Sequence, residues 1–244
     1  MKQNYFPYLF TLALAASNIS TPALADGVVV DKVYHPYVLP NEREIEWRII
    51  ARETELGNLL SQRFGYGHSV TEYLTLEGYL IGARRGEADG PKYDGDFVLD
   101  GYEFEARLML SDQGEYWADW AVIAEFEKKH NQSSYEVTSG LVFEKEIRRT
   151  SLTLNMFLVY EWGDKINNEM ETEFRVKYRY RWLPQFQPAL ELYTGQDYVG
   201  IGPAFMGIQR FNGQKQLKWE AGFITKVSNT GKDNSFRFAL EYEF

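Results

Sequence analysis

The chain has no cysteine among its 244 residues. Disulfides, thiolate metal sites, a cysteine nucleophile and an N-terminal lipidated cysteine are therefore excluded. Positive charge is in deficit: 26 Lys and Arg against 35 Asp and Glu give a formal charge of −9. No basic patch is segregated from the acids, so nucleic acid is excluded as a partner, because an acidic chain repels phosphate. Long apolar runs are missing too. No segment reaches the roughly 18 consecutive apolar residues of a transmembrane helix, and the mean hydropathy is −0.42. Aromatic residues, by contrast, are abundant, with 16 Phe, 17 Tyr and 6 Trp. A disordered polyanion has nowhere to bury so many rings. The chain is long enough for one or two domains with a real interior.

The first residues read as an address. Lys2 is followed by an apolar run from Tyr5 to Ala16, and Ala23-Leu24-Ala25 makes a small-residue cleavage pattern before Asp26. Residues 1–25 are expected to be a secretory signal peptide, the run being too short for an anchor. Their removal takes away Lys2 and leaves the mature chain one charge more acidic.

Beyond that point period-2 alternation replaces helical periodicity. From Glu169 to Trp182 one face reads Met170, Thr172, Phe174, Val176, Tyr178, Tyr180, Trp182, and the other Glu171, Glu173, Arg175, Lys177, Arg179, Arg181. Successive side chains of a strand point to opposite faces, so this is a ribbon with one greasy and one ionic surface. Similar strands are expected at 42–53, 99–110, 116–127, 151–162, 216–226 and at the C-terminus. Weaker ones lie near 59–68, 73–84, 135–146, 189–194 and 199–211, making twelve. Most of the strong ones are as long as a tilted strand needs to cross a bilayer. Tight connections (Ser69–Glu72, Asp112–Gly114, Ile147–Thr150, Leu183–Gln187, Asn212-Gly213) alternate with mostly longer polar ones (Arg84–Asp96, Lys128–Ser134, Gly163–Asn168, Val227–Asn234). The expected fold is all-β, an antiparallel up-and-down transmembrane barrel of about 12 strands. Its domains are the signal peptide, a periplasmic N-terminal segment at 26–41 and the barrel at 42–244.

A soluble sandwich also alternates, but here aromatic residues gather near the ends of the greasy faces. Trp47, Trp120, Trp162, Tyr180, Trp182 and Trp219 are expected at the membrane–water interface. The opposite faces are densely charged, whereas a soluble lipocalin-type barrel points apolar residues inward. The ending, with Phe236, Phe238, Leu240, Tyr242 and Phe244 at alternate positions, resembles the C-terminal signal of Gram-negative outer-membrane β-barrel proteins. That resemblance implies localisation in the outer membrane, recognition by the barrel-assembly machinery, and contact with outer-membrane lipid and lipopolysaccharide. A monomer is expected.

The charged faces would then line the lumen. Glu44, Glu46, Arg48, Glu103, Glu105, Arg107, Asp119, Glu125, Glu173, Arg175, Lys177, Arg179 and Arg181 are the expected pore-lining residues. Fixed charges of opposed sign select solutes by charge and width, and twelve strands leave a narrow passage. This points to a porin-like channel for small polar or charged solutes. The alternative is that the same residues neutralise one another in a salt-bridged plug. The Arg-rich strand is similar to the arginine tracks of small twelve-stranded channels for acidic oligosaccharides, and the many facing glutamates depart from that pattern.

Two other functions are compatible with a charged barrel: a non-conducting barrel that binds a partner through its loops or N-terminal segment, and a lipid-modifying enzyme. The latter needs histidine and serine together on one lipid-facing strand, and His35, His68 and His130 lack that spacing. No catalytic residue, metal site or cofactor is expected. The acidic loop Asp89–Asp96 lacks the ligand pattern of an EF-hand and reads as a solvated hairpin tip. Segment 26–41, with Pro36 and Pro40, is no central strand. A passive leader to the first strand is the expectation, the alternatives being a segment that hangs in the periplasm, folds into the lumen as a small plug or docks a partner.

Overall fold

Alternation is converted into hydrogen-bonded register along almost the whole chain. The computed structural model describes residues 29–54, 57–87, 96–164, 166–196, 198–213, 215–228 and 233–244. The expected signal peptide, residues 26–28 and most of the acidic loop at 88–95 lie outside these. Among the described residues there are twelve strands: β1 (Arg43–Thr54), β2 (Gly57–Ser69), β3 (Leu74–Glu87), β4 (Val98–Met109), β5 (Asp119–Lys129), β6 (Ser134–Ile147), β7 (Thr150–Gly163), β8 (Glu169–Tyr180), β9 (Gln187–Thr194), β10 (Val199–Arg210), β11 (Gln216–Lys226) and β12 (Asp233–Glu243). Each pairs antiparallel with its sequence neighbours, and β1 pairs with β12, from Glu44↔Glu243 to Thr54↔Asp233, to close the barrel. Closure leaves no edge strand with unpaired backbone groups, as a hydrocarbon surrounding requires.

The weak strands at 59–68 and 199–211 are real and take part in the ladder. Three features differ from the sequence expectation. Trp182 lies past the end of β8, because Leu183 and Phe186 form a tight bridge there. Tyr116–Ala118 lie outside β5, in the connection that follows β4. The connections do not sort cleanly by length either. At the end away from the termini β1 stops at Thr54 and β2 begins at Gly57, while at the termini end β4 and β5 are separated by residues 110–118.

The outer face is apolar, with Phe64, Leu80, Phe104, Leu158 and Leu190 exposed. Aromatic rings gather at its two rims. Tyr135 and Trp162 stack with centroids 5.6 Å apart, and Tyr160 stacks on Trp162 at 5.5 Å, toward one end. Trp120 meets Phe143 at 4.8 Å, and Phe186 meets Phe205 at 5.4 Å and Trp219 at 6.5 Å, toward the other. Trp47, Tyr180 and Trp182 are also exposed near that termini-side rim. Phe236, Phe238, Leu240 and Tyr242 sit on β12, and Phe244 bonds Arg43 through the backbone at 2.9 Å.

Candidate functional site: the filled lumen

The side chains expected in the lumen sit at inward strand positions, with Arg181 one residue past the end of β8, and they do not form a bare charged tube. Glu44, Glu46, Arg48, Glu103, Glu105, Arg107, Asp119, Glu173, Arg175 and Lys177 are buried, and Glu125, Arg179 and Arg181 are half-buried. They are buried because the lumen is occupied. Residues 29–38 run inside the barrel from the β9–β10 connection toward the termini end. Val29 approaches Gly195 there, and Tyr37 bonds Asp119 near the other end. The passive leader expected at 26–41 is thus corrected over its described part to an inner segment. Each stretch of it finds a complementary wall.

Apolar residues of the segment meet apolar patches among the charges. Val29, Val30 and Val33 pack with Tyr193, Tyr198 and Ile224. Tyr34 packs with Ala121, Ile123, Val142 and Phe157, its ring edge-on to Phe157 at 6.1 Å. Gly140 makes room for that wall, since a Cβ there would lie 2.5 Å from the Phe157 ring. The segment's backbone is read as well. The Asn155 amide accepts from Tyr34 N–H at 2.7 Å and donates to Tyr34 C=O at 2.9 Å, as a neighbouring strand would. Arg175 donates to the Lys32 carbonyl at 3.0 Å, and Tyr193 Oη donates to that of Asp31 at 2.7 Å.

Charges complete the fit. Asp31 meets Arg48 at 2.7 Å and Arg63 at 3.6 Å. Lys32 meets Glu46 at 2.7 Å and Glu241 at 3.0 Å. His35 Nδ1 lies 2.5 Å from Glu144, which also accepts from Arg179 at 3.1 Å. Away from the segment the wall pairs with itself. Lys177 reaches Glu220 at 3.0 Å and Glu191 at 3.5 Å, and Arg237 pairs with the same two acids. Arg107 meets Glu77 at 3.0 Å. Buried charges tolerate removal from water only when paired and hydrogen-bonded in this way.

Sequence reasoning did not single out Arg63, Glu77, Glu144, Glu191, Glu220, Arg237 or the inner contacts of Asp31, Lys32 and Tyr34. Several sit on weakly patterned strands, where the inward positions of the same alternation would have marked them. The histidines go to other partners than serine: His68 to the Glu42 carbonyl at 3.1 Å, and His130 to Tyr102 Oη at 3.3 Å.

A closed antiparallel cylinder of twelve strands, apolar outside and charged within, is the fold of outer-membrane channels. Solved outer-membrane structures share it. This chain is similar to the COG4313 outer membrane channel from Pseudomonas putida F1, with a TM-score of 0.59 and 14% identity over 88% of this chain and 98% of that one. It is also similar to the KdgM porin in complex with disordered oligogalacturonate, with a TM-score of 0.55 and 11% identity over 82% and 99%. At such identities the likeness is one of fold. No protein-family model matches the chain, and no curated protein matches it in sequence.

Proposed function

We propose that this chain is an outer-membrane barrel that works as a narrow, porin-like channel for small polar or charged solutes, closed at rest by residues 29–38. The observation that carries this reading is the inner segment itself. It fills a charge-lined cylinder through hydrogen bonds, ion pairs and two small apolar patches, and it leads into β1 at Arg43. A segment held this way leaves a polar path when it withdraws. The apolar outer surface with aromatic rims supports a bilayer setting, with lipid and lipopolysaccharide around it. The alternate apolar residues of β12 suit recognition by the barrel-assembly machinery, and a single closed barrel needs no second copy.

The occupied lumen also favours a second reading, a non-conducting barrel that presents its surfaces to a partner. Planar-bilayer recordings of the mature protein and of a variant lacking residues 29–38 separate the two. A gated channel is silent when intact and conducts when the segment is removed. Silence from both forms, with the folded band retained on detergent gels, leaves the non-conducting barrel. Steady conduction by both shows that the segment is not the closure.

A further inference from the structure

One part of the lumen wall is left out of the pairing. Glu103, Glu127, Glu136, Glu161 and Glu169 lie directly opposite one another on successive strands: Glu103↔Glu127, Glu127↔Glu136, Glu136↔Glu161 and Glu161↔Glu169. They form an arc of five carboxylates across β4 to β8, at the end of the barrel away from the termini. A second line runs just inside it, with Glu77↔Glu105 and Glu105↔Glu125. Like charges at directly opposed positions repel, so such a ladder is destabilising unless something compensates it.

Compensation from the protein stops partway. Arg63 pairs with Glu103 and reaches Glu127 at 3.7 Å, and Lys129 meets Glu127 at 2.5 Å. Glu136, Glu161 and Glu169 have no ion pair among the described residues. Glu136 and Glu161 accept only hydroxyl bonds, from Thr138 at 3.3 Å and from Ser134 at 3.1 Å. These three are half-buried and within reach of solvent.

Unmet acceptors lie beside the arc. Glu105 is 0% exposed, and neither of its carboxylate oxygens has a hydrogen-bond partner. Oε1 of Glu125 opposite it is also unpartnered, as is Oε1 of Glu103, a member of the arc that is 5% exposed. Buried acceptors without donors are costly. A ligand that completes this wall must bring positive charge and N–H or O–H donors together.

We propose that the arc is a binding site for a linear polyamine, a solute with several ammonium groups on short alkyl spacers. The inference names the substrate class of the passage and rests on the channel reading given above. An ammonium group is donor-only and positively charged, which matches both deficits. The layout favours an extended polycation over a single metal ion. Neighbouring strands are about 4.8 Å apart, so the carboxylates are spread along a line. Among the described residues, three acids close enough to share one ion occur instead at Glu44, Glu241 and Glu243. There Lys218 already bonds two of the three, at 2.9 Å to Glu241 and closer still to Glu243.

Titration calorimetry of the intact mature protein in detergent at low salt tests this, with spermidine, magnesium chloride and trigalacturonate as probes. Saturable spermidine binding is expected, weakened by added salt and about tenfold weaker in the Glu136→Gln/Glu161→Gln/Glu169→Gln variant, which loses three partly exposed pairs. The single variant Glu161→Gln should show part of that loss if the triple variant fails to fold. Three results would each overturn the proposal: no saturable spermidine binding, binding unchanged in all variants, or magnesium or trigalacturonate binding as tightly. Spermidine binding by a barrel that never conducts upholds the site and removes only the transport reading. Conduction by a barrel that ignores spermidine upholds the channel and removes the site.

Discussion

The two sides of the lumen are built from the same residue types and end in opposite states. Around the seam of β11, β12 and β1, acids and bases interleave: Asp31 with Arg48, Glu46 with Lys32, Glu241 with Lys32 and Lys218, Glu220 with Arg237. Across β4 to β8 at the far rim, carboxylate faces carboxylate and only Arg63 and Lys129 intrude. The net charge of the chain does not distinguish these regions. Register alone does not either, since Glu44 faces Glu243 and Glu46 faces Glu241 across the β1–β12 seam; what differs is the cations set among the acids there, Lys32 from the inner segment and Lys218 from β11.

Breaking one pair on the seam side should have the largest effect. Arg48→Met leaves Asp31 and Glu46 buried, with only Arg63 at 3.6 Å to serve Asp31. A cost of about 3–5 kcal/mol is expected for stranding buried charge, read as a lower temperature for loss of the folded band on detergent gels. Next comes the polar clamp on the inner segment. Asn155→Ala removes both bonds to the Tyr34 backbone and should weaken its docking by about 1–3 kcal/mol. Faster protease cleavage within residues 29–38, and more frequent channel opening, would show it. The smallest effect, of opposite sign, belongs to the arc. Glu161→Gln without ligand should stabilise the barrel by less than about 1 kcal/mol, because it relieves repulsion from Glu136 and Glu169. If Glu161→Gln destabilises as much as Arg48→Met, the contrast between the two sides fails.

Much of the barrel was legible because the bilayer and the lumen impose a period-2 code on each strand. The segment from Glu169 to Trp182 shows it most openly, and its inward charges are where the alternation put them. Strands rich in inward glycine hide the code. Gly65 and Gly67 on β2, and Gly200 and Gly202 on β10, occupy inward positions with no side chain to display. At Gly65 the space is taken by the Tyr79 ring, which a Cβ would meet at 2.3 Å. The apolar inner patches were equally easy to pass over. Ile50, Ile123, Val142 and Ile224 occupy positions where the pattern promises charge, and all are buried. Ile123 on β5 and Val142 on β6 receive Tyr34, whose partners lie far along the chain. No local periodicity in Val28–Pro40 encodes such contacts, which is why that stretch read as a leader.

Lys32 sits at a particular place in this arrangement. Its ammonium bridges Glu46 on β1 and Glu241 on β12, the two strands whose pairing turns a sheet into a cylinder. β1 and β12 are thus joined by their backbone ladder, by Lys32 from the segment, and by Arg52 of β1, which meets Asp233 of β12 at 2.7 Å. During assembly, an open sheet would present two acidic margins that repel as they approach, and a segment already seated between them supplies the countercharge. A segment seated before the final strand zips would supply that countercharge at the moment the two margins meet.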